Sequence, residues 1–183
     1  MREVEIKLRV ENPKAIEKKL IKMGCVLSAS MRQHDTNYTR GGSTEEWEES
    51  KEGHVIIRIR RTDTGAEFNL KQQRSSESDN LEYETKVEDP EALHNILVTL
   101  GYTPEIQVKK IRRKGKIGEY EICLDQVEEL GDFMEIEKLT DDNADPNMVR
   151  KELFRIIEPL GLTQEDEEKR GYDTQIFLLH HRQ

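Results

Sequence analysis

The 183-residue sequence contains only two cysteines, Cys25 and Cys123, and they are not arranged as C-x-x-C. Two isolated thiols favour neither a disulfide framework nor a zinc site. The histidines also lack metal-ligand spacing; they are His34, His54, His94, His180 and His181. The sequence therefore predicts a protein of the reducing cytoplasm that holds no structural zinc.

Long apolar segments and nucleotide-binding loops are also missing. No apolar run approaches the roughly 20 residues that a membrane-spanning helix needs, and residues 1–30 contain no signal segment. We find no glycine-rich phosphate loop and no Ser/His/Asp arrangement. The net charge of −9 argues against non-specific binding of nucleic acid. These absences predict a soluble protein with no membrane or nucleic-acid partner.

Charge, in contrast, is abundant and regularly placed. Charged residues make up 37% of the chain, against roughly 25% in typical globular proteins. In residues 3–10 charged and apolar residues alternate, which is the period of a β-strand. The same alternation recurs at residues 55–61, 66–72, 81–87, 106–112, 119–125 and 133–138. A further strand is predicted within residues 25–40, a loop with the only tryptophan, Trp47, at 41–53, and a docked helix at 176–179.

Strands that each carry a charged face can be arranged in two ways. In an open antiparallel sheet the charged face meets water. In a closed barrel the charges face a central tunnel, and the apolar residues pack outward against helices. The types of charge favour the barrel, because arginine and lysine on facing strands can bind phosphate while carboxylates bind Mg²⁺ or Mn²⁺. The Arg-x-Arg and Lys-x-Arg pairs lie at residues 58–60 and 110–112.

The chain also repeats itself. The pattern E-x-E-x-K at residues 3–7 recurs at residues 82–86, and the signal for the start of a helix at residues 11–13 recurs at residues 88–90. In both helix signals an asparagine or aspartate precedes proline, as is common at helix N-termini. We therefore predict an internal duplication of a strand-helix unit within one domain of residues 1–183.

Taken in order, the charged motifs resemble those of the CYTH superfamily, the triphosphate tunnel enzymes. The motifs are Glu3-x-Glu5-x-Lys7, Asp35-x-x-Tyr38, Arg58-x-Arg60, Leu70-Lys71, Lys110-x-Arg112, Asp125 and Gly131-x-Phe133-x-Glu135. The resemblance spans nearly the whole chain. It implies an α+β fold with a closed eight-stranded antiparallel barrel, a divalent metal and a triphosphate substrate. Residues 99–102, 125–135, 140–142 and 170–172 look most like the class IV adenylyl cyclases.

The resemblance also implies roles for individual residues. The metal ligands would be Glu3, Glu5, Glu135 and Glu137. The triphosphate would be bound by Lys7, Arg58, Arg60, Lys71, Lys110 and Arg112, of which Lys7 and Arg112 are the predicted catalytic residues. The supporting residues would be Asp35, Tyr38, Glu82, Glu84 and Asp125. Tyr38 could contribute to the tunnel, or it could be an ordinary strand aromatic.

Three functions follow from these predictions. The leading one is conversion of ATP to cyclic AMP and pyrophosphate, with the adenine in an apolar slot at one tunnel mouth. The second is hydrolysis of inorganic or thiamine triphosphate, because Glu137 and Glu82-x-Glu84 are features shared with triphosphatases. Lys114-Gly115 also replaces an aromatic expected in a cyclase. The third is non-catalytic binding of a nucleotide or polyphosphate. A homodimer is a further predicted option.

Overall fold

The computed structural model describes residues 2–40, 52–76 and 79–181. Eight antiparallel strands close into a barrel with the ring order β1-β5-β4-β3-β2-β6-β7-β8. The strands are β1 (Arg2–Arg9), β2 (Met31–Arg40), β3 (Val55–Thr62), β4 (Gly65–Ser76), β5 (Asp79–Val87), β6 (Tyr102–Ile117), β7 (Tyr120–Val127) and β8 (Gly131–Thr140). The predicted closed eight-stranded antiparallel barrel is confirmed.

The α-helices of the described ranges are α1 (Pro13–Lys22), α2 (Pro90–Thr99), α3 (Pro146–Ile157) and α4 (Tyr172–His181). The first three begin alike: Asn12, Asp89 or Asp145 precedes a proline and accepts a hydrogen bond from a first-turn N–H. Proline suits the first helical position because its missing N–H has no helical partner there. Of the helices in these ranges, none is long and apolar enough to cross a membrane.

Most buried apolar residues of β1, β2 and β3, and several of β7 and β8, lie outside the barrel, where the helices cover them. α1 and α3 pack on β1, β7 and β8, and the buried Val4, Ile6 and Leu8 belong to this cluster. On the other side, α2 contributes Leu97 to a cluster with the outer residues of β2 and β3. The helices thus cover the apolar faces of these strands, and the charged faces of the strands point into the barrel.

Tyr38 is one of the outward-facing residues. It is 2% exposed and packs in the same cluster as Leu97, and its hydroxyl lies 2.9 Å from Nδ1 of His94. Placing Tyr38 in the tunnel was therefore wrong, and the ordinary strand aromatic is the correct interpretation. Tyr38 and Asp35 are three residues apart, and residues at odd spacing lie on opposite faces of a strand.

The helix predicted at residues 176–179 is confirmed as α4, which begins four residues earlier than predicted. Tyr172, Ile176 and Phe177 of α4 form an apolar cluster with buried residues of β6, β7 and β8. The segment before α4 is tied to β1, because the N–H of Glu168 donates to the carbonyl of Lys7 at 2.9 Å. Consequently α4 covers one end of the barrel.

The barrel is built from two similar halves of the chain. Each half has one strand, then one helix, then three further strands, and α3 and α4 follow the second half. Exchanging β1–β4 with β5–β8 leaves the ring order unchanged. Such a ring is what a duplicated unit would form, and the duplication itself remains a prediction.

The strand predicted within residues 25–40 is confirmed as β2, which starts at Met31. Residues 25–30 instead lie along β6, where the N–H of Ser28 donates to the carbonyl of Lys114 at 2.7 Å. β6 extends over Tyr102–Ile117 and is much longer than its alternating segment. Residues 41–51 of the predicted loop, with Trp47, lie outside the described residues.

Candidate active site

A cavity of about 750 Å³ lies inside the barrel and is lined by all eight strands and by residues 171–174 at the start of α4. Alternation along the strands directs the charged side chains into it. The lining includes the six predicted phosphate-binding residues, Lys7, Arg58, Arg60, Lys71, Lys110 and Arg112. It also includes Glu3, Glu5, Asp35, Glu82, Glu84, Glu135 and Glu137. Asp125 is buried beside Arg112 and pairs with it.

Exposure increases from one end of this cavity to the other. Lys7, Arg60, Lys110 and Arg112 are each no more than 7% exposed. We call residues 171–174, beside them, the floor. At the other end Leu139, near the end of β8, is 60% exposed, and we call that end of the cavity the mouth.

Arg60 is fixed inside the barrel by Asp35, its neighbour across β2 and β3. Its Nε and Nη2 donate to the two carboxylate oxygens of Asp35 at 2.8 and 2.7 Å, and Nη1 of Arg58 lies 3.8 Å from Oδ2. Burial raises the pKa of Asp35, but Arg60 and Arg58 outweigh it and hold the pKa well below its usual range. Asp35 is therefore an anion that orients two of the predicted phosphate-binding residues.

Arg112 lies in a second buried network. Its Nε donates to Oδ1 of Asp125 at 2.7 Å, and its Nη2 donates to both Asp125 and Glu135. Nζ of Lys110 lies 3.4 Å from Oδ2 of Asp125. Burial, together with the charge of Arg112, lowers the pKa of Lys110 to about 8.

Glu135 belongs to this network of buried cations. Burial raises the pKa of Glu135, but Arg112, Lys110 and Lys7 bring it well below its usual range. The pairing with Arg112 separates Glu135 from the other predicted metal ligands. Glu135 and Glu137 share one face of β8, and the role of Glu135 as a metal ligand stays a prediction.

Between these networks and the mouth lies a group of carboxylates, Glu3, Glu5, Glu82 and Glu137, which we call the acidic ring. Nζ of Lys71 lies 3.1 Å from Glu82 and 3.7 Å from Glu3. Lys71 lowers the pKa of Glu3, but burial and the carboxylates of Glu82 and Glu137 outweigh it and raise the pKa to about 10. Burial likewise raises the pKa of Glu137. Burial and the neighbouring carboxylates thus favour the protonated form of Glu3, which relieves the repulsion.

The chemistry of the acidic ring fits a divalent cation. Within the described ranges no preformed group of three or more His, Cys, Asp or Glu side chains is placed to bind a metal. The ring nevertheless supplies hard oxygen donors, which Mg²⁺ and Mn²⁺ prefer, and Glu5 and Glu137 face each other across β1 and β8. A cation could replace the proton of Glu3.

The floor contains a site residue that sequence reasoning missed. The ring centroid of Tyr172 lies 4.6 Å from Nζ of Lys7 and 4.9 Å from Nζ of Lys110. Its hydroxyl donates to Oδ2 of Asp125 at 3.1 Å. Tyr172 begins a helix, so no alternation marks it as an inward-facing residue.

Known proteins share this architecture. Residues 1–172 match the CYTH domain. A Methanocaldococcus jannaschii protein, named provisionally as an adenylate cyclase, is 28% identical over 174 residues, which are 94% of this chain and 97% of that protein. The solved structure of a Pyrococcus horikoshii OT3 protein has 26% identity and a TM-score of 0.79, covering 93% of this chain and 96% of that one.

A Hippeastrum protein, described as having a dominant triphosphatase activity, has 16% identity and a TM-score of 0.61 over 98% of this chain and 95% of its own. At that identity the likeness concerns the fold alone. The match over residues 1–172 settles the family: this chain belongs to the CYTH domain family.

Proposed function

We propose that this protein is a divalent-metal-dependent enzyme that converts ATP to cyclic AMP and pyrophosphate. The observation that carries the proposal is the order of charge along the cavity. Buried cations, together with the carboxylates that pair with them, lie near the floor, and the acidic ring lies toward the mouth. A triphosphate is attracted with its terminal phosphate toward Lys7, Lys110 and Arg112, which leaves the nucleoside at the mouth.

The size and lining of the cavity support a nucleotide substrate. Its volume of about 750 Å³ falls within the roughly 300–1,000 Å³ of small-molecule sites, and it exceeds what an inorganic triphosphate needs. Leu139 lines the mouth. It offers the base an apolar contact of the kind that the sequence predicted.

The cavity would bind a polyanion only together with protons or metal ions. Ten carboxylates and eight lysines or arginines occur among its described lining residues, so the triphosphate would add to an existing negative excess. Glu3, Glu5 and Glu137 are the residues that would hold Mg²⁺ or Mn²⁺. Such an ion, when bound, offsets phosphate charge and polarises the phosphoryl oxygens.

In the proposed reaction the 3′-hydroxyl oxygen bonds to the α-phosphorus, and the bond from that phosphorus to the pyrophosphate oxygen breaks. Lys7, Lys110 and Arg112 hold the leaving pyrophosphate and stabilise the charge that builds on it. The hydroxyl proton has carboxylate acceptors in the acidic ring. Most of the catalytic effect comes from positioning, since a 1 Å misplacement can cost roughly 10²-fold in rate.

A triphosphatase is the second candidate, and the negative excess of the cavity favours it. Carboxylates that are not needed to hold a metal can orient and deprotonate a water molecule that attacks the terminal phosphorus. The Hippeastrum protein with triphosphatase activity has the same fold. Both reactions would use the same cations and the same acidic ring.

Product analysis tests the proposal. The purified protein is incubated with ATP or tripolyphosphate and with Mg²⁺ or Mn²⁺, and Glu3→Gln is the matched variant because glutamine mimics the protonated acid. We expect cyclic AMP and pyrophosphate from ATP, with activity lost in Glu3→Gln. Orthophosphate released from tripolyphosphate far faster than cyclic AMP forms would identify a triphosphatase. Unchanged ligands that bind but do not react would identify a binding module.

A further inference from the structure

The ring of Tyr172 stands between the buried lysines and the outer end of the barrel. Both Lys7 and Lys110 have their ammonium groups within 5 Å of its centroid, at 4.6 and 4.9 Å, and Tyr172 itself is only 7% exposed. A phosphate chain that extended past these two lysines would meet the phenol ring next.

Several contacts hold the ring in place. It packs edge-to-face on Phe133, with centroids 5.0 Å apart and an interplanar angle of 65°. The chain around it is anchored by Arg9, whose guanidinium donates to Glu168 at 3.0 Å and to Gln175 at 2.7 Å. Burial raises the pKa of Tyr172 well above its usual value, so its hydroxyl keeps the proton that it donates to Asp125.

The ring also leaves Lys7 available for a ligand. Among the described residues Lys7 forms no salt bridge, because Glu135, which faces it across β1 and β8, pairs with Arg112, whereas Lys110 is close to Asp125. An aromatic face attracts an ammonium group without providing a competing anion. Tyr172 therefore orients Lys7 toward the cavity while its positive charge remains free to meet a phosphate.

We propose that Tyr172 is a specificity-determining residue that limits the bound phosphate chain to three units. The inference rests on the proposed function, because it requires the terminal phosphate to enter first. With the ring in place, the third phosphoryl group can reach Lys7 and Lys110. A fourth group would have to displace the ring and its hydrogen bond to Asp125. The site thus accepts nucleoside triphosphates and tripolyphosphate and rejects tetraphosphates.

Calorimetric titration of the full chain with pyrophosphate, tripolyphosphate and tetrapolyphosphate in Mg²⁺ tests this limit. The variants are Tyr172→Ala, which removes the ring, and Tyr172→Phe, the matched control that keeps the ring but loses the hydrogen bond to Asp125. We expect the wild type and Tyr172→Phe to prefer tripolyphosphate over tetrapolyphosphate by about tenfold, and Tyr172→Ala to lose that preference, as is usual when a steric block is removed.

Tyr172→Leu keeps an apolar contact with Phe133 but is shorter than tyrosine, so it replaces Tyr172→Ala if that variant does not fold by circular dichroism. Equal binding of the two ligands by the wild type would overturn the inference. So would an unchanged preference in both shortened variants. A wild type that binds no inorganic polyphosphate at all would instead contradict the proposed function, so the two failures are distinguishable.

Discussion

At the residue scale, the cations of the cavity are held in place before any ligand arrives. Arg60 donates hydrogen bonds to Asp35, and Arg112 donates hydrogen bonds to Asp125 and Glu135. An arginine that is already oriented loses less side-chain entropy when it binds phosphate. The buried carboxylates thus act as orienting groups, whereas the acidic ring is the group that would hold a metal.

Asp35→Ala should destabilise the protein by about 3–5 kcal/mol, because it leaves the buried charge of Arg60 without its partner. Urea unfolding at pH 7 measures the loss. Glu91→Ala is the matched control: Glu91 pairs with Arg61 at 2.6 Å, but its side chain is 73% exposed, so its loss should cost under about 1 kcal/mol. Equal effects of the two substitutions would contradict this account.

The Asp35 pair also predicts a pH dependence. The pKa of Asp35 is lowered in the folded state, so the unfolded state binds more protons as the pH falls. The stabilisation is complete above the unfolded pKa of about 3.9 and is lost as the pH falls through the folded pKa. Asp35→Ala should therefore lose less stability between pH 5 and 2 than the wild type does.

Binding of tripolyphosphate should weaken above about pH 8. Burial and Arg112 lower the pKa of Lys110 to about 8, and an anionic ligand prefers its protonated form. The contribution of Lys110 to the binding affinity is therefore complete below that pKa and falls as the pH rises through it. Lys110→Arg stays protonated over this range, so calorimetry from pH 7 to 9.5 should find a shallower decline. Identical pH profiles of affinity for the wild type and Lys110→Arg would argue against a role for Lys110. The titration of the ligand itself does not affect this comparison, because it acts on both proteins equally.

At the element scale, strand alternation made the cavity lining predictable. Glu3, Glu5 and Lys7 had to share a face once β1 was recognised, and so did Arg58 and Arg60. Alternation gives the face of a residue but not its partner, which depends on the register between strands that are distant in sequence. The contact between Glu135 and Arg112 is of this kind and could not be predicted from alternation.

Helices and irregular segments were harder to predict. Tyr172 reaches the cavity only because residues 167–168 dock along β1, and nothing local in the sequence encodes that contact. The late start of β2 has a similar cause, since residues 25–30 pack against β6 over Gly115 instead of joining the sheet. Long-range packing decided both features.

The contact at Gly115 gives a stability prediction. A Cβ added there would lie 2.5 Å from Sγ of Cys25, so Gly115→Ala should cost about 1–3 kcal/mol through overpacking. Cys25→Ala removes the sulfur, and in that background Gly115→Ala should cost at least about 0.5 kcal/mol less. Urea unfolding of the wild type, the two single variants and the double variant measures the free energy of unfolding of each. Additive effects would contradict the predicted clash.

At the scale of the whole molecule, the negative excess of the cavity lining means that a polyanion binds only together with cations that offset its charge. Tripolyphosphate with Mg²⁺ binds the folded state alone, so it should raise the free energy of unfolding by RT ln(1 + [L]/Kd), about 2.7 kcal/mol at a hundredfold excess over Kd. Thermal unfolding at millimolar ligand measures the shift. Mg²⁺ or tripolyphosphate added singly should shift the melting temperature less. No shift with both would exclude the cavity as a triphosphate site.

β1 pairs with β8 along eight positions but with β5 at only two. The strand that carries Glu3, Glu5 and Lys7 thus leaves the ribosome before the other strands of this barrel, and its main partner leaves after them. Such distant pairing slows folding. During synthesis the acidic ring and the buried cations therefore stay apart until β8 emerges, and a prematurely terminated chain would contain most of the charged residues without ever assembling the site.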